Sequence, residues 1–428
     1  MTRRCFLFTS TASLAPANAR PNILLINTDD QRFDTIAALG NREIHTPALD
    51  SLVRRGFHFS NLYSQGGMVG AMCLPSRTML MTGRTVFRIP DRATPPPPGL
   101  PLLAKAFEQG GYRTYHYGKR GNTYGPASEA FQTKLYSQEG FDVRAGQSER
   151  HADQGIAWMK SNGPAQPFFI YLAPPVPHDP RSAPKQFVDM YDPAKITLPK
   201  NFMPEHPFDN GDLKIRDEML APFPRTPEDM RRHLADYYAT ISCLDHHIGR
   251  ILTALKTTGL EQNTIVLFTS DQGLAVGGRH GLMGKQNLYE HFKSPLILAG
   301  PGVRRGRSTA LAHMHDLFPT LCDLAGVPAP AGVEGLSLAP VIRGQQAKVR
   351  DHVFAVYKDV QRMVRDERWK LIWYPKIQRF QLFDVVADPW ELRDRSADPA
   401  QAGRLHALKR QLATLQDQHD DKAVPRPV

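Results

Sequence analysis

Two carboxylates stand side by side at Asp29-Asp30, and a carboxylate and an amide at Asp271-Gln272, each pair closing an apolar run. Adjacent negative charges in a partly dehydrated crevice repel unless a cation neutralises them, and hard oxygen donors of this kind suit calcium or magnesium. Each pair alone reads first as a loop-capping turn; together, in matching strand contexts, they favour a metal. The string Cys73-Leu74-Pro75-Ser76-Arg77 leads into Thr78-Met79-Leu80-Met81-Thr82-Gly83. It puts Cys73 at a helix N-terminus, where the dipole favours anions and is expected to lower a thiol's pKa. Lys119 closes a strand-like run, Lys285 sits in Gly284-Lys285-Gln286-Asn287, and His178 lies in the proline loop 174–180. Taken singly, the lysines read as solvated surface residues, and His178 reads as loop packing or as chemistry. His280, His313 and His315 read as structural before they read as pocket residues.

The elements that must position these groups are visible as short apolar runs. Ile23-Leu24-Leu25-Ile26 runs into Asn27-Thr28-Asp29-Asp30, and Phe168-Phe169-Ile170-Tyr171-Leu172 runs towards His178. Ile265-Val266-Leu267-Phe268 runs into Asp271-Gln272, and the run from Tyr112 to Tyr117 ends at Gly118-Lys119. All-apolar strands suit a mostly parallel sheet covered by helices on both faces, in which ligands bind beyond the carboxyl ends of the strands. The reactive residues should therefore converge on one edge. Thr46-Pro47 opens a helix that ends at Gly56, and Thr226-Pro227 opens a long one that stops near Gly259. Pro95 to Pro98 reads as a rigid surface loop, and 183–226, rich in proline and charge, as a pocket wall. After about residue 345, closely spaced strand-like runs without intervening helices imply a smaller antiparallel-sheet subdomain, closed by a helix over 402–415. The expected division is 1–19, 20–344 and 345–428.

The chain has 428 residues, 41% of them hydrophobic and 22% charged, the balance of an ordinary globular protein. Its net charge of +11 is scattered. Without a dense basic run or a nucleic-acid module, the partner implied is an anionic small molecule or polysaccharide, not nucleic acid. No apolar run approaches the roughly 20 residues of a transmembrane helix. Residues 1–19, with Arg3-Arg4, an apolar middle and Ala17-Asn18-Ala19, read as a cleaved export signal that resembles the twin-arginine type. The expected location is outside the cytoplasm, periplasmic or secreted. Four cysteines do not make a disulfide scaffold, and Cys243 and Cys322 read as buried, inert thiols.

From about Pro21 to Leu415 the sequence resembles the formylglycine-dependent sulfatases of the alkaline phosphatase-like superfamily. The resemblance rests on the 21–30 string, Thr46-Pro47-Ala48-Leu49-Asp50, the C-x-P-S-R string at Cys73 and Thr82-Gly83-Arg84. It extends to Thr269-Ser270-Asp271-Gln272-Gly273, Gly284-Lys285, Asp316-Leu317-Phe318-Pro319-Thr320 and Leu382-Phe383-Asp384. What it implies is an alkaline phosphatase-like α/β fold and hydrolysis of a sulfate ester, expected on a carbohydrate. Cys73 would be oxidised to formylglycine by a maturation enzyme, and a calcium or magnesium ion held by Asp29, Asp30, Asp271, Gln272 and the modified Cys73. In family terms, one hydroxyl of the hydrated aldehyde attacks sulfur and loss of the other's proton releases sulfate. Arg77, Lys119 and Lys285 would gather the negative charge, and His178 would protonate the leaving oxygen. Where such enzymes commonly carry a histidine two residues after the lysine, this chain has Gly121. Asn122, His116 or a water would have to supply that contact, and Gly121→His is expected to raise turnover provided the glycine is not needed for a positive φ. A phosphonate or phosphate ester hydrolase and an impaired, glycan-binding relative are the alternatives.

Overall fold

The computed structural model describes residues 20–137, 144–162 and 166–427; the expected export signal at 1–19 lies outside them. Thirteen strands are formed among the described residues: β1 (Asn22–Thr28), β2 (Phe57–Tyr63), β3 (Gly66–Gly67), β4 (Arg113–Lys119), β5 (Thr133–Ser137), β6 (Phe168–Ala173), β7 (Thr264–Ser270), β8 (Lys293–Ala299), β9 (Gly306–His313), β10 (Val353–Tyr357), β11 (Gln361–Arg365), β12 (Trp369–Tyr374) and β13 (Arg379–Asp384). Eight build the main sheet in the order β5-β4-β6-β1-β7-β8-β2-β9, in which β8 runs against both neighbours and every other pairing is parallel.

Alternation along β1 shows why an unbroken apolar run is required. Ile23 and Leu25 enter a core with Leu80 and Met81 of the Cys73–Thr82 helix, Phe107 and the Leu317–Ala325 helix. Leu24 and Ile26 face the opposite way, onto Leu49 and Leu52, Ala152 and Met159, and Leu244 and Ile248 of the Pro227–Thr257 helix. Each fully buried side chain of this size stabilises by about 1.5–3 kcal/mol, so the strands that carry the site are anchored from both faces. No helix among the described residues is long and apolar enough to cross a membrane.

The first helix forms over Pro47–Arg55 as its sequence implies, but its cap comes from elsewhere. Thr46 makes no side-chain cap bond. The Ala48 and Leu49 amides donate instead to Asp245 on the long helix, at 2.9 and 2.7 Å.

β10 to β13 form the expected antiparallel sheet, with the Ala402–Gln418 helix packed against it through Leu408 and Leu412. Its fifth strand is β3, which pairs with β10 from far upstream. A Cβ at Gly66 would sit 1.9 Å from the Val356 carbonyl oxygen, so only glycine permits that approach. Met79 also packs into this sheet's core, so the helix that begins at Cys73 is wedged between the two sheets.

Candidate active site

The carboxyl ends of β4, β6, β1 and β7, adjacent in the sheet, deliver Lys119, His178, Asp29-Asp30 and Asp271-Gln272 to one edge. Asp29 continues from β1, where its amide donates to the Val176 carbonyl at 3.1 Å. Asp30 turns sharply at φ 67°, a left-handed conformation that aspartate tolerates better than most residues. The turn is held by Tyr237, whose hydroxyl donates to the Asp30 carbonyl at 2.5 Å.

Cys73 Sγ lies 3.0 Å from Asp29 Oδ1 and 3.7 Å from Asp30 Oδ1. Gln272 Nε2 reaches Asp30 Oδ1 at 2.7 Å and Cys73 Sγ at 3.2 Å, and Lys285 Nζ reaches Asp30 Oδ2 at 2.8 Å and the same sulfur at 3.4 Å. His178 Nε2 stands 3.7 Å from Asp30 Oδ2, and its Nδ1 lies 2.6 Å from the Asp179 carbonyl. Asp271 is held one step back. Its Oδ1 accepts from the Asp30 and Gln272 amides at 3.0 and 2.9 Å, and its Oδ2 accepts from Arg77 Nε at 2.9 Å. Arg77 is fully buried and also donates to the Thr28 carbonyl at 3.0 Å and towards the Tyr171 hydroxyl at 3.3 Å. Its guanidinium braces Asp271 from below the site and is absent from the cavity wall.

Of these groups, His178 and Lys285 also line a cavity of about 470 Å³, together with Lys119, Arg216, Asp217 and Tyr357, among others. Arg216 and Asp217 come from the stretch expected to form a wall; Tyr357 comes from the C-terminal sheet, which individual residues gave no reason to expect here.

The electrostatics bear on a cation. Burial alone would raise Asp29, but His178, Arg77 and Lys285 hold it well below the usual carboxylate range. Asp271 goes the other way, up to about 7, through burial and the neighbouring Asp29 charge, against the pull of Arg77. Burial and the Asp29 charge thus work against the charged form of Asp271 despite Arg77, which leaves room for further positive charge. Donor atoms of Asp29, Asp30, Cys73 and His178 all lie within 4.8 Å of one another. Gln272 Oε1 is buried without a partner. The two ends of an amide are interchangeable by rotation, and the rotated form turns that oxygen to where Nε2 now meets Asp30 and Cys73. The donor set therefore fits a hard divalent ion.

The expectation that the helix dipole lowers the Cys73 thiol is overturned. Burial pushes it well above its usual range, Asp271 and Asp29 push the same way, and Lys285 only partly offsets them. Charges within a few ångströms outweigh a half-charge at the helix end.

Of the groups expected to substitute for a histidine at position 121, His116 lies inside the core. It is stacked on Tyr171 with ring centroids 4.8 Å apart, and burial lowers its pKa to about 4. Asn122 is at the site, its Nδ2 donating to Asp29 Oδ2 at 2.5 Å. Gly121 has φ 84°, and a Cβ there would lie 2.4 Å from Arg92 Nη2. The condition attached to Gly121→His is thus not met, and the substitution is expected to lower turnover. A left-handed residue with a side chain costs roughly 1–2 kcal/mol, and Arg92 must also move. Thermal melting beside steady-state turnover checks this; a faster enzyme with an unchanged melting point would contradict it.

His280 belongs to a separate buried network with Glu290 at 3.0 Å and Asn201 at 3.0 Å. The nearby carboxylates are already matched there by Arg279 on Glu290 and Lys370 on Glu391, at 2.7 and 2.9 Å. His313 and His315 stack on each other in the core, 5.1 Å apart. All three histidines are buried away from the Cys73 cluster, and Cys243 and Cys322 are free and buried.

The sulfatase family model matches residues 21–327. The chain belongs to the sulfatase family. A model of the C-terminal region of N-sulphoglucosamine sulphohydrolase also matches residues 278–418. Among curated relatives, this sulfatase is 26% identical to N-acetylglucosamine-6-O-sulfatase of Bacteroides thetaiotaomicron over 94% of its own chain and 87% of the relative. It is 27% identical to choline-sulfatase of Rhizobium meliloti, over 89% and 83% of the two chains. A solved structure in complex with its substrate D-glucosamine-2-N,6-O-disulfate superposes with a TM-score of 0.79 at 23% identity, covering 94% of this chain and 99% of the other. The phosphonate monoester hydrolase of Agrobacterium radiobacter does so with the same TM-score at 24% identity, covering 94% and 96%. The fold is the alkaline phosphatase-like α/β fold, and the enzyme is a sulfuric ester hydrolase.

Proposed function

We propose that this sulfatase removes sulfate from a sulfated carbohydrate, outside the cytoplasm, through Cys73 oxidised to formylglycine by a maturation enzyme. The observation that carries the reading is the meeting of Cys73 with Asp29, Asp30, Gln272 and Lys285 within hydrogen-bond reach at one sheet edge. A divalent ion, calcium or magnesium, would be held by Asp29, Asp30, Gln272 and the modified Cys73, with Asp271 completing the set through its remaining lone pairs. Such an ion supplies Lewis-acid polarisation and favours an anionic oxygen nucleophile on the modified residue.

The chain's own residues account for the rest of the work. Sulfate esters resist attack because their peripheral oxygens are negative, so preorganised cations must face them. Lys119 and Lys285 line the cavity and are suited to that task; Arg77 contributes its charge from beneath while fixing Asp271. His178, at the cavity wall with Nδ1 committed to the Asp179 carbonyl, has Nε2 directed to the site, as a proton donor to the leaving oxygen requires. Asn122, adjacent in sequence to the place of the family histidine, donates to Asp29, which supports an active enzyme over an impaired binder.

The carbohydrate substrate is supported by relatives named for sulfated sugars, including a Delta 4,5-hexuronate-2-O-sulfatase of Bacteroides thetaiotaomicron. A panel of positionally sulfated monosaccharides, with sulfate release as the readout, tests it: turnover of one or more sugars is expected, and turnover of aryl or choline sulfate alone would overturn it. The shared fold with a phosphonate monoester hydrolase gives the second reading its weight, and phosphate or phosphonate release exceeding sulfate release would decide for it. Chelation of the purified enzyme is expected to abolish turnover, with calcium or magnesium restoring it. Full activity in metal-free protein would contradict the ion's role.

A further inference from the structure

The long stretch between His178 and the Pro227–Thr257 helix does more than wall the cavity. Its residues Arg216, Asp217 and Glu218 grip the segment that presents Lys285. Glu218 is fully buried and accepts from the amides of Met283 and Gly284, at 2.8 and 2.9 Å, while Arg225 neutralises it at 2.8 Å. Asp217 Oδ2 accepts from Gln286 Nε2 at 2.9 Å and stands 3.7 Å from Lys285 Nζ. Its Oδ1 accepts from Arg216 Nη1 at 2.9 Å, and the same guanidinium extends to both carboxylate oxygens of Asp179, beside His178.

A lysine side chain is long, and its ammonium is a point charge with no geometry of its own. Asp30 pulls it towards the acidic cluster, and Asp217 pulls from the cavity side. We propose that Asp217 is a positioning residue that holds the Lys285 ammonium between Cys73 and the cavity, and that Arg216 ties it to the His178 loop. One strap, Asp179-Arg216-Asp217, then sets the spacing of the two groups that serve opposite ends of the scissile bond. The inference rests on the role given above to Lys285.

A double-mutant cycle tests it, because a residue that acts through another loses its effect when the other is gone. Wild type, D217N, K285A and the double variant are compared with para-nitrophenyl sulfate, alongside thermal melts. D217N is expected to lower kcat/KM about 10- to 100-fold, the usual cost of losing a group that orients an active-site residue, with the loss mainly in kcat. In the K285A background the same substitution should change kcat/KM by less than about 2-fold. Asp217→Glu, which keeps the charge, should recover part of the loss, and it replaces D217N in the cycle should that variant not fold. Equal factors in both backgrounds, or a wild-type D217N beside an impaired K285A, would overturn the positioning role. Wild-type activity in K285A would instead remove the reading of Lys285 itself, and the strap's purpose with it.

Discussion

Asp271→Ala is expected to produce a protein that is both inactive and markedly less stable, because one carboxylate serves two ends. On one side Asp271 receives Arg77 Nε at 2.9 Å, with both side chains shut off from water. Removing one partner of a buried pair leaves the other charge uncompensated, at a cost of about 3–5 kcal/mol. On the other side Asp271 accepts the amides of Asp30 and Gln272 and so fixes the direction of two expected metal donors. Metal content by elemental analysis should fall together with turnover, and the chemical-denaturation midpoint should drop. Asp271→Asn keeps the shape and one oxygen but not the charge, so it should recover part of the stability and little of the activity. A well-folded Asp271→Ala with normal metal content would contradict this account.

Cys73→Ala should have the larger effect on rate and the smaller one on stability. It removes a small side chain that touches Asp29, Gln272 and Lys285 but supports little of the packed core. Alanine keeps the Cβ but offers no thiol to oxidise, so no hydroxyl is available to attack sulfur and only binding and charge stabilisation remain; turnover should fall by about 10⁴-fold or more. The melting temperature should change little, since the buried thiol is neutral in the folded and the unfolded chain near pH 7 and its removal leaves no charge unpaired. Cys73→Ser, which a maturation enzyme specific for cysteine does not oxidise, should be equally inactive. Appreciable sulfate release by either variant would mean that another group attacks sulfur.

Much of the site was legible because its residues end strands. Asp29, Lys119, His178 and Asp271 each follow an apolar run, and a parallel sheet brings such ends together without further information. The core followed from the same runs, and the C-terminal sheet from closely spaced strand-like segments without helices. What could not be read depends on contacts between distant segments. Nothing local tells that Asp245 caps the Pro47–Arg55 helix, that Gly66 joins β10, or that Asp217 reaches Lys285. The helix dipole at Cys73 is a local property, whereas the burial that mainly raises the thiol, and the three carboxylates that add to it, come from the packing of distant segments and two other loops. Arg77 was expected among the substrate's contacts because cations near a sulfate are useful. Its burial follows from its place in the second turn of a helix wedged between two sheets, where Asp271 is the partner within reach.

The proposed activity is cleavage of a sulfate ester by Cys73 matured within this carboxylate-lined edge. Its most direct test is mass analysis of the Cys73 peptide from protein coexpressed with a formylglycine-generating enzyme, paired with sulfate release by the same preparation. The thiol is expected to be replaced by an aldehyde or its hydrate, and activity across preparations to scale with the converted fraction. A preparation that remains wholly cysteine, or one fully converted that releases no sulfate from any sulfated sugar or aryl sulfate, would contradict it.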